Sequence, residues 1–278
     1  GAERVMLTIA TGLRQRGHRI DLVVSNLSGA YQSSVPSSLE VVDLKAPRAI
    51  KSTLKLSRYF MRSKPDCVIS ALPHINLVTI FATLISRSKT QVVLTEHNTL
   101  SQSIQNASTL KGRYLHLLMR LFYPISNRMI AVSKGVADDL SLVLGIPRHR
   151  IDVIYNPVVT PELLEQARQP LNHPWFSSSA PNIVLAAGRL TYAKNFASLL
   201  RAFSQTKDEH NSRLVILGEG EDRAKLTELA AQLEIDKRLF IPGFVDNPYQ
   251  YMSHAKVFVL CSRWEGLPTV LIEALACG

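Results

Sequence analysis

Ile183-Val184-Leu185-Ala186-Ala187-Gly188-Arg189-Leu190 opens as an unbroken apolar run and ends in a glycine turn; Lys194-Asn195 follows, just before a helical pattern over 195–206. A short apolar run that feeds a helix is the unit of a parallel sheet. The same unit recurs on both sides of it. Downstream, 213–217, 239–242 and 257–260 read as strands, and 222–233, 248–253 and 268–276 as helices. Upstream, 20–25, 39–43, 67–70, 91–95, 129–132 and 151–155 read as strands, with helices over 4–16, 49–63, 76–86 and 111–123. This alternation predicts an α/β fold whose parallel sheets are covered by helices on both faces.

Asn156-Pro157 and the Pro-, Ser- and Asn-rich stretch 169–181 interrupt the pattern, which predicts domains at 1–157 and 158–278. A chain of 278 residues with 46% hydrophobic residues can bury a core in each. The net charge of +10 lies in the first part: residues 1–155 hold 20 Lys and Arg against 9 Asp and Glu, and 156–278 hold 12 against 13. A basic half beside a neutral one points to an anionic partner: nucleic acid, a lipid surface or a phosphate-bearing substrate. Cys67, Cys261 and Cys277 are odd in number and far apart, which predicts neither a disulfide framework nor a zinc site and fits a reducing cytosol. No export signal is legible at the N-terminus. The longest apolar stretch, 75–85, is broken by Asn76 and Thr79 and reads as a buried helix. Both ends read as cut: Gly1-Ala2-Glu3-Arg4 opens on a helix with no strand feeding it, and Gly278 is the C-terminal glycine of the last helix.

Ligands of open α/β sheets bind beyond the carboxyl ends of the strands. Arg189 and Lys194 stand there and suit a diphosphate, although loop cations are also commonly just solvated. Gly218-Glu219-Gly220 ends another strand; its glycines admit a ligand closely or simply permit a strand-to-helix turn. The third such loop, 262–267, leads through Pro268 into a helix. The N–H groups of Thr269 and Val270 at that helix start form a natural phosphate seat. Glu265 and Glu273 flank the seat, placed to accept hydrogen bonds from sugar hydroxyls or, more plainly, to cap and solvate the helix.

Glu265-Gly266-Leu267-Pro268-Thr269-Val270-Leu271-Ile272-Glu273 resembles the EX7E motif of the retaining glycosyltransferases of family 4. Gly188-Arg189-Leu190 with Lys194-Asn195, then Gly218-Glu219-Gly220, then Gly243-Phe244-Val245 stand in that family's order, and Gly1-Ala2-Glu3-Arg4 is similar to the end of its GGAE segment. The resemblance covers essentially the whole chain. It implies the GT-B architecture: two Rossmann-like doubly wound parallel-sheet domains facing across a cleft, here without the first strand and the C-terminal helices. It implies that Arg189 and Lys194 neutralise the donor diphosphate, Glu265 holds the donor sugar and Glu273 the ribose. Phe244 and Val245 would border the base, while Gly188, Asn195, Gly218, Glu219, Gly266, Leu267, Thr269 and Val270 complete the donor site. On the acceptor side it implies Gly1, Glu96, Ser133 and an active-site histidine, His97, in Thr95-Glu96-His97-Asn98 after a strand.

Cations at Arg48, Lys51, Lys55, Arg58 and Arg62 recur at helical spacing, with Leu54, Leu56, Phe60 and Met61 on the flanks and back. This reads as a basic amphipathic helix suited to anionic lipid, or as a solvated surface helix. The expected function is transfer of a hexosyl or N-acetylhexosaminyl group from a nucleoside diphosphate sugar, UDP-linked, to a lipid-linked or oligosaccharide acceptor in cell-surface polysaccharide synthesis. The expected place is the cytoplasm, at the inner face of the membrane, with no metal, no other cofactor and no nucleic acid as partner. A GT-B sugar-nucleotide epimerase and a non-catalytic basic membrane or nucleic-acid-binding protein are the alternatives. A dinucleotide oxidoreductase is disfavoured because no strand leads into GxGxxG followed by an acidic residue.

Overall fold

The computed structural model describes residues 2–27, 35–47, 49–105, 110–176, 181–206 and 211–278, with the backbone alone at 49, 50 and 110–113. Gly1 and Arg48, both singled out from sequence, lie outside the described residues. The chain divides into two compact units, Gly1–Pro157 and Val158–Gly278. The first contains α1 (Ala2–Gln15), β1 (Asp21–Val24), β2 (Glu40–Asp43), α2 (Ala49–Ser63), β3 (Cys67–Ala71), α3 (Pro73–Ser86) and β4 (Gln91–Glu96). It continues through α4 (Leu100–Gln105), α5 (Leu110–Phe122), β5 (Arg128–Ala131), α6 (Lys134–Leu144) and β6 (Ile151–Val153). The second contains α7 (Pro161–Ala167), β7 (Asn182–Ala187), α8 (Phe196–Ser204), β8 (Ser212–Leu217), α9 (Arg223–Gln232), β9 (Leu239–Gly243), α10 (Tyr249–His254), β10 (Val257–Phe258) and α11 (Thr269–Cys277).

Every strand pair among the described residues is parallel. In the first unit β3-β4-β5-β6 form one sheet and β1-β2 another. In the second the order is β10-β7-β8-β9. That order reverses between β7 and β10, so the chain crosses from one half of the sheet to the other there, and their outgoing loops diverge to leave a crevice.

The second sheet shows why an apolar run reads as a doubly covered strand. Ala186 of β7 and Leu214 and Ile216 of β8 pack with Leu199, Leu200, Phe203, Leu226 and Ala230 of α8 and α9. The alternate residues, Ile183, Leu185 and Ala187 of β7 with Val215 and Leu217 of β8, pack with Leu163, Tyr249, Met252 and Ala274 of α7, α10 and α11. Strand side chains alternate faces, so both sets must be apolar when helices cover both.

Helix α2 has the bounds that the sequence predicts, and its inward face carries Leu56 and Phe60, both buried. Of the apolar residues on its flanks and back, Leu54 and Met61 are 60% and 49% exposed, on the same open side of the helix as the exposed Lys51, Arg58 and Arg62. Lys55 is removed from the cationic stripe, because its ammonium donates to the carbonyls of Leu44 and Lys45 at 2.8 and 2.9 Å and so ties α2 to the segment after β2. No helix among the described residues is long and apolar enough to cross a membrane.

Candidate functional site

The loops that leave β7 and β10 meet at the switch point of the second sheet. The backbone N–H of Arg263 donates to the carbonyl of Ala193 at 2.8 Å, and the Cys261 thiol to the carbonyl of Lys194 at 3.1 Å. These bonds bring Lys194 onto Glu265, with Nζ 2.5 Å from Oε1 and both side chains about one fifth exposed, at 23% and 21%. Ser262 donates to the same carboxylate oxygen at 2.6 Å. Two of the three ammonium donors of Lys194 are left without a partner among the described residues. Arg189, five residues earlier in the same loop, is exposed and has no ion pair or side-chain hydrogen bond among the described residues. The Lys194 ammonium is thus held on the loop where an open sheet receives its ligand, and Arg189 stands exposed in the same loop.

The glycines of these loops serve one another. A Cβ on Gly218, at φ +138°, would lie 2.0 Å from the Gly188 carbonyl oxygen, and one on Gly220 would lie 2.3 Å from that of Leu190. No side chain fits there. Backbone bonds hold the same neighbours: Leu190 N–H to the Glu219 carbonyl at 2.9 Å and Gly218 N–H to the Gly243 carbonyl at 2.8 Å. Of the two sequence readings of the glycines, the structure shows close backbone packing. The side chain of Lys194 crosses Gly188, where a Cβ would come within 3.3 Å of Cε. Glu219 turns to Arg223 at 2.6 Å. Asn195 takes the left-handed conformation, φ 57°, that Asn tolerates, and its side chain accepts from the Ser198 hydroxyl at 3.0 Å. Phe244 is 57% exposed, while Val245 packs into the core.

Helix α11 departs from the sequence reading at its first turn. It starts at Thr269, with Pro268 outside it. The N–H of Thr269 is not available to a phosphate, because it donates to the Leu267 carbonyl at 2.9 Å. Gly266, Leu267 and Val270 surround this turn and are half-buried. Glu273 is 7% exposed on the inward face of α11, with the Tyr249 hydroxyl 3.5 Å from Oε1.

In the first unit, β4 ends at Glu96 and delivers His97, half-buried, beside Thr95. Burial pushes the imidazole down to about 4, so it is neutral at physiological pH. The sequence expectation for Glu96 is corrected: it does not face an acceptor. Strand alternation turns it to the other side from His97, where it is 3% exposed. There its Oε1 accepts from the Tyr123 hydroxyl at 2.5 Å and the Asn76 amide at 2.8 Å. Asn76 in turn accepts from the Ser70 hydroxyl at 2.7 Å. Burial raises the Glu96 carboxyl to about 7 and holds the Tyr123 phenol well above its ordinary value, so the phenol keeps the proton that it donates. The Ser133 side chain caps α6 by accepting from Val136 N–H at 3.2 Å. Among the described residues, no group of three or more His, Cys, Asp or Glu is placed to hold a metal.

Residues 1–161 match the family model described as Glycosyltransferase Family 4, and residues 170–278 match that of Glycosyl transferases group 1. The chain belongs to glycosyltransferase family 4. An N-acetylgalactosamine-N,N'-diacetylbacillosaminyl-diphospho-undecaprenol 4-alpha-N-acetylgalactosaminyltransferase of Campylobacter jejuni is 28% identical to this glycosyltransferase over 290 residues, covering 100% of this chain and 75% of its own. Two solved structures confirm the fold as GT-B. Sucrose-phosphate synthase from Thermosynechococcus elongatus matches with a TM-score of 0.81 at 18% identity, over 100% of this chain and 74% of its own. HepE of Anabaena, in complex with UDP-glucose, matches with a TM-score of 0.76 at 20% identity, over 100% and 75%.

Several residues of the glycosyltransferase's candidate site carry no flag in the sequence reading. Ser262 lies three positions before Glu265, near enough to have been named with it. Tyr192 and Trp264, from the loops that carry Lys194 and Glu265, lie with ring centroids 6.1 Å apart, and the Arg263 guanidinium lies 4.3 Å from the Tyr192 ring. Outside the site, Asn76 and Tyr123 reach the buried Glu96 from 20 and 27 residues away, and no local signal links them.

Proposed function

We propose that this glycosyltransferase transfers a hexosyl or N-acetylhexosaminyl group from a UDP-linked sugar to a lipid-linked or oligosaccharide acceptor, with retention, in cell-surface polysaccharide synthesis. The observation that carries the reading is the meeting of Lys194 with Glu265 at the switch point of the second sheet, in a loop that also carries the exposed Arg189. When the bond from the anomeric carbon to the diphosphate breaks, its electron pair leaves on the diphosphate. Fixed cations stabilise that charge most where water is partly excluded. The acceptor hydroxyl oxygen then bonds the anomeric carbon and gives its proton to a phosphate oxygen of the leaving group or to water. Glu265 orients Lys194 and accepts from donor-sugar hydroxyls, Glu273 accepts from the ribose, and exposed Phe244 borders the base. His97 acts in the first unit, on the acceptor side. Arg189 and Lys194 supply the neutralisation that a divalent cation supplies elsewhere, so no metal is required.

The name of the Campylobacter relative, which contains a diphospho-undecaprenol acceptor, and the UDP-glucose bound by HepE support the acceptor and donor classes. The test is to screen UDP-, GDP- and ADP-sugars for thermal stabilisation, then to follow labelled sugar from the stabilising donor into polyprenyl diphosphate glycans. A UDP-sugar that raises the melting temperature and passes its label to acceptor, undiminished by EDTA, is the expected result. Free sugar as the sole product would point to the epimerase instead, and no stabilisation by any donor would overturn the reading.

The same proposal places the enzyme at the cytoplasmic face of the membrane. Lys51, Arg58 and Arg62 are exposed on α2 with Leu54 and Met61 among them, which suits an interface of anionic headgroups over acyl chains. Each near-surface cation contributes about 1 kcal/mol, so changing all three to glutamate is expected to weaken binding to vesicles with one third phosphatidylglycerol by on the order of a hundredfold. Equal binding of both proteins in a flotation assay would count against this placement.

A further inference from the structure

We infer that Thr95 is a positioning residue that locks His97 in the tautomer with the proton on Nε2, so that His97 presents Nδ1 as a hydrogen-bond acceptor to its ligand. The inference rests on the reading of His97 as a residue of the site. The geometry leaves one consistent arrangement of hydrogens. Thr95 Oγ1 lies 2.9 Å from the Ser70 carbonyl oxygen and 3.1 Å from His97 Nε2. A carbonyl can only accept, and a threonine hydroxyl has a single proton. That proton goes to Ser70. Toward His97 the hydroxyl can then only accept, so Nε2 must carry hydrogen. Were the hydroxyl turned to His97 instead, two oxygen lone pairs would face each other at 2.9 Å within a strand pair where Thr95 is 5% exposed.

The framework behind this contact is rigid. Ser70 and Thr95 lie in the paired register of β3 and β4, in which Ala71 is the partner of Thr95. Burial holds the imidazole neutral, so a second ring proton is absent at physiological pH. Among the described residues nothing hydrogen-bonds to Nδ1. A neutral imidazole with Nδ1 unprotonated can accept from a hydroxyl but offers nothing to a phosphate oxygen. The ligand group that His97 recognises is therefore a donor, and the chemistry on offer is a sugar hydroxyl.

The test uses 15N-histidine-labelled full chain, with His97 identified among the eight histidines by the signal that disappears in His97→Gln. A two-bond proton–nitrogen correlation spectrum is expected to show Nε2 protonated, Nδ1 unprotonated and no titration of His97 between pH 5.5 and 8. Thr95→Val keeps the shape and removes the hydroxyl; it is expected to yield mixed tautomers and a turnover lowered about tenfold or more with little change in donor KM. Thr95→Ser restores the hydroxyl, and both quantities are expected to return to near the parent values. A His97 protonated on Nδ1 in the parent, or an unchanged tautomer in Thr95→Val, overturns the inference. Should the tautomer behave as described while His97→Gln transfers sugar normally, the assignment of His97 to the site fails and the role of Thr95 as its anchor stands.

Discussion

Changing Arg189 and Lys194 together to alanine is expected to abolish the stabilisation that a UDP-sugar confers and to lower turnover by about a hundred- to a thousandfold. A ligand at 100 times its dissociation constant adds about 2.7 kcal/mol to folding stability. For a chain of this size that is a rise of about 5 to 10 °C in melting temperature, the larger figure applying if the second unit melts by itself. Both side chains leave the loop after β7, Lys194 is held on Glu265 at 2.5 Å, and Arg189 is exposed without a partner among the described residues. Loss of one preorganised donor to a developing oxyanion typically costs two to three orders of magnitude in rate. Scanning fluorimetry with and without donor reads the first effect, and single-turnover transfer reads the second. A double variant that still gains the full rise with donor would show that the diphosphate binds elsewhere.

The second large effect concerns Glu96, which the structure moves from the acceptor to the interior. Its carboxyl, raised to about 7 from an ordinary 4.5, binds a proton in the folded state over a pH range where the unfolded chain has released it. Stability from this group is complete below about 4.5 and is lost as pH rises through 7, by an amount on the order of 3 kcal/mol. Glu96→Gln keeps an acceptor for Tyr123 and Asn76 and cannot ionise. Its stability relative to the parent is therefore expected to grow between pH 5 and pH 8, as read by urea denaturation at both. Glu96→Ala leaves both donors buried and unmet beside a cavity, and is expected to cost about 3 kcal/mol or more at either pH. A gap between Glu96→Gln and the parent that does not change with pH would refute the buried, protonated carboxyl.

Sequence pattern discloses what is periodic or local. The doubly covered strands were legible because Ile183, Leu185 and Ala187 serve one helical layer and Ala186 the other, which forces an uninterrupted apolar run. The bounds of α2 were legible from its cationic spacing, but its outward face was not: only the fold shows that Lys55 is turned onto the Leu44 and Lys45 carbonyls and that Leu54 and Met61 stand in the open. Glu96 adjoins His97 in the chain, and adjacency suggested a shared role. Alternation along β4 sends the two to opposite sides, a consequence of a strand that runs one residue beyond the predicted 95. Thr269 offered an N–H by position in the sequence, yet the turn at Leu267 takes it. Pairings such as Lys194 with Glu265, 71 residues apart, depend on strand order. Periodicity carries no record of strand order, and here only the family resemblance anticipated that the two would act together.

The interlocking of the loops after β7, β8 and β9 bears on how donor choice can be redesigned. With Gly218 seated on the Gly188 carbonyl, Gly220 on that of Leu190 and Gly243 bonded to Gly218, none of the three can change its path alone. Grafting a single loop from a homologue of different sugar preference would set foreign backbone against native backbone at van der Waals distance. A chimera must exchange all three as one cassette, or confine its variation to the side chains that emerge from them.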